Sequence, residues 1–121
     1  MYNKKTLVIG ASPNPLRYSH KAIKSLLENN IEVEAIGKRK TQIDNVSVKT
    51  EKEQLDNIHT VTLYINPDNQ RDYLDYIISL QPKRIIFNPG THNARLEEKA
   101  KKKGIEVVHD CTLIMLNENE Y

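Results

Sequence analysis

Two stretches of this sequence carry residue types suited to holding phosphate. The first is Gly10-Ala11-Ser12-Pro13-Asn14-Pro15-Leu16-Arg17, which follows a short apolar run. Gly10 permits a tight turn and lets a ligand approach the backbone. Ser12 offers a hydroxyl, and a helix starting just beyond would aim its N-terminal amides at the same place. Arg17 could add a two-pronged phosphate contact. Of the three glycines in the dinucleotide fingerprint G-x-G-x-x-G, Gly10-x-Ser12-x-x-Pro15 keeps only the first, so any phosphates lie differently from those of NAD. Taken alone, the loop reads equally well as a ligand-free strand-to-helix connection. The second stretch is Gly37-Lys38-Arg39-Lys40. Dinucleotide-binding domains place an acid at roughly this distance, about 20 residues past the glycine loop, to hold ribose hydroxyls. Three bases stand here instead. They suit a phosphorylated adenosine ribose, as in NADP or coenzyme A. The plainer alternative is a solvated basic turn.

Two more loops complete the candidate site. Tyr64-Ile65-Asn66-Pro67 offers a cap (Asn66), a proline at the first helical position (Pro67) and a wall for an adenine ring. Asn88-Pro89-Gly90-Thr91 combines a glycine open to close backbone approach with polar side chains, and Thr91 or Asn93 can cap the helix that follows. Catalytic constellations are harder to find. His20, His59, His92 and His109 are scattered, with no pair at metal-ligand spacing. Neighbouring residues in the extended His109-Asp110-Cys111 point to opposite faces and cannot form a triad with one another. Cys111 reads as a small buried apolar residue. No Tyr-x-x-x-Lys pair occurs, the glycine loop lacks the Lys-Ser/Thr of a P-loop, and the strand ends lack a receiver domain's acids. The expectation is a binding site without catalytic or metal-binding residues.

The elements that must position these loops follow from the apolar pattern. Leu7–Ile9, Ile31–Ile36, Val61–Ile65, Ile85–Phe87 and Ile105–Val108 are short and rich in β-branched residues, as strands are. Between them, helical spacing marks Ile23, Leu26 and Leu27, then Tyr73, Leu74, Ile77 and Ile78, then Ala94 to Lys103, which stops at Gly104. The first of these ends near Asn29-Asn30, where Asn can take the left-handed cap conformation. Asp44-Asn45 reads as a turn, Val46-Ser47-Val48 as a short edge strand and Glu51–Leu55 as a short helix. Strands alternating with helices give a Rossmann-like, doubly wound α/β domain: about five parallel strands in a three-layer αβα sandwich. Ligands of such sheets bind beyond the carboxyl ends of the strands, where all four loops lie.

Composition bounds the function. With 121 residues, 38% hydrophobic and 28% charged, the chain is expected to form one domain over 1–121, without room for a separate substrate domain. A net charge of +2 is too small for a general nucleic-acid-binding surface. No apolar run approaches the roughly 20 residues of a membrane span, and Met1 to Lys5 leads into the first strand with no signal-peptide pattern. A lone cysteine fits a reducing compartment, so a cytoplasmic location is expected.

Taken together, Val8-Ile9-Gly10-Ala11-Ser12-Pro13-Asn14-Pro15, Glu32-Val33-Glu34-Ala35-Ile36, Phe87-Asn88-Pro89-Gly90 and Gly104-Ile105-Glu106-Val107-Val108-x-Asp110-Cys111 resemble the small coenzyme A-binding domains related to the N-terminal domain of the succinyl-CoA synthetase α subunit. The resemblance covers about Thr6 to Leu116. It implies that the first loop (Gly10, Ala11, Ser12, Pro13, Asn14, Arg17) holds the CoA diphosphate and that Gly37, Lys38 and Arg39 meet the 3′-phosphorylated ribose. Tyr64, Asn66 and Pro67, with Asn88, Pro89, Gly90 and Thr91, would then flank the adenine and the pantetheine arm. Many members have Val-Asn-Pro where this chain has Ile36-Gly37-Lys38. The synthetase's ligase domain and phosphorylated histidine have no counterpart, so ligase activity is not carried over. The expected function is that of a small binding protein for coenzyme A or an acyl-CoA, with its protein partner unspecified. An NADP-binding oxidoreductase-like domain and a ligand-free regulatory or interaction domain are the alternatives.

Overall fold

The first apolar run forms strand β1, Thr6–Ala11, and every residue of it except Gly10 is buried. A computed structural model describes residues 4–121; Met1, Tyr2 and Asn3, which belong to the N-terminal and 1–121 domain readings above, lie outside the described residues. Helix α1, Tyr18–Glu28, follows. It ends in a Schellman motif: Asn30 is left-handed at φ 60°, Ile31 N–H donates to Leu26 O and Asn30 N–H to Leu27 O. The cap read at Asn29-Asn30 is therefore present, and it turns the chain into β2, Val33–Gly37.

The segment after β2 keeps the turn read at Asp44-Asn45 and the strand read at Val46-Ser47-Val48, and adds a strand before them. It forms a hairpin of β3, Thr41–Ile43, and β4, Val46–Lys49, paired antiparallel through the Asp44-Asn45 turn. The hairpin's apolar side, Ile43, Val46 and Val48, is buried against α1's face of the sheet. Residues 51–55 are not helical, a correction to the short helix expected there. Strand β5, Thr60–Leu63, leads into two short 3-10 turns, Pro67–Asn69 and Arg71–Tyr73, before helix α2, Leu74–Ser79. The proline and cap read at Asn66-Pro67 thus open a 3-10 turn, with the Asn66 side chain accepting from Asn69 N–H. Strand β6 is Arg84–Phe87, helix α3 is Ala94–Lys102 and strand β7 is Glu106–His109. Helix α3 stops in a second Schellman motif with Gly104 at φ 74°. A last helix, α4, Thr112–Asn117, was not read from the sequence. Cys111 stands at its N-cap, half-buried rather than buried.

Among the described residues the sheet has seven strands, not about five, in the order β3-β4-β2-β1-β5-β6-β7. All neighbours are parallel except β3 and β4. The two additional strands are those of the hairpin: β4 contains the strand read at Val46-Ser47-Val48, and β3, which was not read, takes the edge outside it.

Side chains alternate across β1, and the alternation divides the core. Leu7 and Ile9 point to one face, with Val61, Leu63, Ile85 and Phe87, and are covered by Leu74 and Ile77 of α2 and Leu96 and Ala100 of α3. Val8 and Ala35 point to the other, under Ile23 and Leu26 of α1 and Leu116 of α4. Each large side chain buried in this way contributes about 1.5–3 kcal/mol. Helices on both faces of a largely parallel sheet give the expected three-layer α/β fold. Strand order reverses between β1 and β5, and in such sheets that switch point is where a crevice opens at the carboxyl ends of the strands.

Candidate functional site

At that switch point lies a cavity of about 650 Å³. Its floor is the end of β1. Gly10 sits at φ 98°, a conformation that side chains resist, and a Cβ there would lie 2.8 Å from the Tyr64 carbonyl carbon. The β1 and β5 loops can approach so closely only because residue 10 is glycine. Gly10 also marks the register shift between β1 and β2, after which Ala11 pairs with Gly37.

The first loop is held by its own polar groups. Ser12 Oγ accepts from Asn14 N–H at 3.1 Å, and Asn14 Oδ1 accepts from Leu16 N–H at 3.0 Å. From helix α1, His20 Nδ1 donates to Ser12 O at 3.0 Å, which fixes the ring's proton on Nδ1. Ser12 uses its hydroxyl as an acceptor here, leaving its O–H free to donate. Helix α1 has neither a side-chain cap nor an acidic residue in its first turn, and its first residues, Tyr18 and Ser19, line the cavity. An uncapped helix N-terminus with a free hydroxyl beside it favours an anion.

The charge around the cavity has one sign. Arg17, Lys38 and Arg39 line it, are exposed, and have no ion-pair partner among the described residues. Several lysines elsewhere are paired, as Lys24 is with Asp44 at 2.9 Å and Lys49 with Glu53 at 3.1 Å. The opposite wall comes from Tyr64, Ile65, Asn66 and Asn69 after β5, and from Pro89 and Thr91 after β6. Burial pushes the Tyr64 phenol above its ordinary value, which keeps it neutral.

Most residues expected at the site line this cavity: Gly10, Ala11, Ser12, Pro13, Asn14 and Arg17 from the first loop, then Lys38, Arg39, Tyr64, Asn66, Pro89 and Thr91. Four do not. Gly37 backs the first loop: a Cβ on it would lie 2.3 Å from Ala11 O, so the β1 loop can seat against β2 only over a glycine. Pro67 begins its 3-10 turn. Gly90, at φ 86°, completes a turn in which Thr91 N–H donates to Asn88 O at 3.0 Å, as a Pro-Gly pair favours. Asn88 is buried, and its amide is turned inward. Its Nδ2 donates to Thr62 Oγ1 at 2.6 Å and to Leu63 O at 2.8 Å, while its Oδ1 accepts from Thr112 N–H at 2.9 Å. The side chain joins β5, β6 and α4 and has no group left for a ligand.

The sequence reading missed two positioning residues. His20 is one. Gln70, wholly buried, is the other: its Nε2 donates to Ile65 O at 3.0 Å and to Thr91 O at 2.7 Å, tying the β5 loop to the β6 loop. A glutamine between a capped turn and a helix gives no sequence signal for such a role. The fold also gathers a group that spacing did not reveal. His92 and His109, 17 positions apart, both meet Glu97: each Nε2 contacts Oε1, at 2.8 and 3.0 Å. Lys101 and His92 hold the Glu97 carboxyl at a pKa of about 2.

An anionic ligand fits this donor set: unpaired cations, a free serine hydroxyl and an uncapped helix on one side, with uncharged walls on the other. No curated protein matches the chain. An uncharacterised protein of known crystal structure is 42% identical over the whole of both chains, with a TM-score of 0.96. A hypothetical protein from Pyrococcus horikoshii OT3 is 24% identical, with a TM-score of 0.85 over 97% of this chain and 83% of that one. The dinucleotide-forming acetyl-coenzyme A synthetase 1 of Ca. Korarchaeum cryptofilum shares the fold, at 17% identity and a TM-score of 0.71. That similarity spans 89% of this chain and 26% of the synthetase. The CoA binding domain family matches residues 4–117, nearly the full length and including every wall of the cavity, so the chain belongs to the CoA-binding domain family.

Proposed function

We propose that the chain binds coenzyme A, free or as an acyl-CoA, in the cavity at the β1–β5 switch point. In this reading the first loop and the N-terminus of α1 hold the diphosphate, with Ser12 donating its hydroxyl and Arg17 its guanidinium. Lys38 and Arg39 meet the phosphate on the adenosine ribose. The uncharged β5 and β6 loops flank the adenine and the pantetheine arm. The observation that carries the proposal is the convergence of three unpaired cations and an uncapped helix on a single cavity. The reading assigns binding and no reaction. No helix among the described residues is long and apolar enough to cross a membrane, and the single cysteine suits a reducing cytoplasm.

Isothermal titration with CoA, dephospho-CoA and NADPH tests the proposal. CoA is expected to bind, and loss of the ribose phosphate to weaken binding by roughly 10- to 100-fold, the range of one charge-assisted contact. Equal affinity for CoA and dephospho-CoA would remove the role given to Lys38 and Arg39. Tighter binding of NADPH than of CoA would move the assignment to the nicotinamide cofactor.

A further inference from the structure

The carboxyl ends of β6 and β7 bring together side chains that coenzyme A binding does not use. His92 lies in the β6–α3 loop, Glu97 in the first turn of α3, and His109 at the end of β7. His92 Nε2 lies 2.8 Å and His109 Nε2 3.0 Å from the same oxygen, Glu97 Oε1, and all three ligand atoms fall within 4.8 Å of one another. We propose that His92, Glu97 and His109 form a binding site for one divalent transition cation of the zinc class.

The donor set selects the ion. Two imidazole nitrogens and one carboxylate oxygen suit zinc, cobalt, nickel or copper, whereas magnesium and calcium prefer oxygen alone. Tetrahedral coordination at about 2.0–2.1 Å puts donor atoms about 3.3 Å apart. The two His–Glu separations need to widen by only a few tenths of an ångström to admit the ion. Each ring must carry its proton on Nδ1, leaving the Nε2 lone pair for the cation.

Neighbouring groups hold the ligands in place. Phe87, buried at the end of β6, stacks on the His109 ring at 5.4 Å and 16°, and meets the His92 ring edge-on at 5.7 Å. Lys101 Nζ takes the other carboxylate oxygen, Glu97 Oε2, at 2.9 Å, which presents Oε1 to the histidines. Glu97 is the most shielded of the three, with 19% of its side chain exposed against 57% for His92 and 49% for His109. Backed by Phe87 and open outward, three protein ligands leave a fourth position for water or an exogenous donor. The site immediately follows Thr91, which lines the cavity, but its argument stands without any ligand in that cavity.

The test uses the tag-free full chain, stripped with EDTA and titrated with Co²⁺, followed by Zn²⁺ in competition with a chromophoric chelator. One equivalent of Co²⁺ is expected to give the intense visible absorption of a tetrahedral site, and Zn²⁺ to displace it. His92→Ala and His109→Ala, both at exposed positions, should each weaken Zn²⁺ binding by at least about 100-fold, since loss of an outer contact alone costs 10- to 100-fold. Glu97→Gln should weaken it similarly, while Cys111→Ser and His59→Gln leave it unchanged. Thermal melts should show Zn²⁺ raising the Tm of the parent chain but not of the alanine variants. If Co²⁺ keeps the spectrum of the free ion, or if the alanine variants bind Zn²⁺ as tightly as the parent, the cluster is a hydrogen-bonded clamp on Glu97 and the proposal fails.

Discussion

Gly37→Ala separates two reasons for a glycine. At Gly37 the obstacle is steric: a Cβ would stand 2.3 Å from the Ala11 carbonyl oxygen, where ordinary contact begins at 3.4 Å. The atom in the way is backbone of the adjacent strand, so β1 and β2 must separate by about 1 Å where the first loop leaves the sheet. Overpacking of this kind costs about 1–3 kcal/mol, and a backbone obstacle belongs at the upper end. The lower entropy of the unfolded alanine chain returns roughly 0.4–1 kcal/mol, leaving a net loss of about 2 kcal/mol. With an unfolding entropy of about 0.25 kcal/mol/K for a chain of 121 residues, Tm should fall by about 8 °C. At Gly90 the obstacle is conformational only. Its φ is 86° and nothing lies within 4 Å of the added Cβ, so Gly90→Ala costs about 1–2 kcal/mol before the same entropic return. Its Tm should fall by about half as much. Calorimetric melts of both variants, with CoA titrations below the transition, measure the order. A Gly37→Ala loss no larger than that of Gly90→Ala would refute the claim that Gly37 exists to seat the first loop.

Three further outcomes are expected. Ser12→Arg should abolish CoA binding in a calorimetric titration with little change in Tm, because the new side chain fills space at the cavity floor while the loop remains at the surface. Asn88→Ala should lower Tm by about 12 °C, since a loss of about 3 kcal/mol follows when Leu63 O and Thr112 N–H lose buried partners. The same variant should keep its CoA affinity within roughly tenfold, and a selective loss of CoA affinity would instead return Asn88 to the ligand. His59 is held below its ordinary value of 6.5 by burial first, then by Arg84, Lys4 and Lys83. The folded state therefore prefers the neutral ring, and its contribution is complete above pH 6.5 and lost as pH falls through the lower folded value. His59→Gln should flatten the fall in Tm between pH 7.5 and 5; an unchanged slope would assign the acid sensitivity elsewhere.

How much of this molecule was legible in its sequence depended on the range of the interaction that decides each feature. Leu7–Ile9, Val61–Ile65 and Ile85–Phe87 could be read because a strand buried on both faces is a nearly continuous apolar run. Asn29-Asn30 and Gly104 could be read because a left-handed cap is a local backbone requirement. The loops after β1, β2, β5 and β6 were legible for a topological reason, since a parallel sheet carries all of them to one edge. Features set by contact between distant segments were not legible. The turn and second strand of the hairpin were read, but its first strand, Thr41–Ile43, has a single large apolar residue, Ile43, which is buried with Val46 and Val48 in the cluster that includes Ile23 and Leu26 of α1. Helix α4 is six residues long, and its first N–H, that of Thr112, is accepted by Asn88 Oδ1 from the loop after β6.

The sharpest case is the assignment of polar residues within the loops themselves. Asn88 and Pro89 are adjacent in one turn, and sequence gives no reason to separate them, yet the Asn88 amide is used up between β5 and α4 while Pro89 stays on the cavity wall. The buried Thr91, which also lines the cavity, donates its hydroxyl to Asn88 O at 2.7 Å. Gly37 and Lys38 are likewise adjacent, and one supports the loop while the other lines the cavity. Chain position brought each residue to the correct edge of the sheet. Which way its polar atoms turn is decided by which neighbouring backbone groups would otherwise be buried without a partner. The same holds for His92 and His109. Spacing along the chain set them apart, and the parallel register that pairs Phe87 with His109 brings both rings to one carboxylate. In a fold of this kind, sequence locates the functional edge; the buried hydrogen bonds divide that edge into residues that hold the fold and residues left free to hold a ligand.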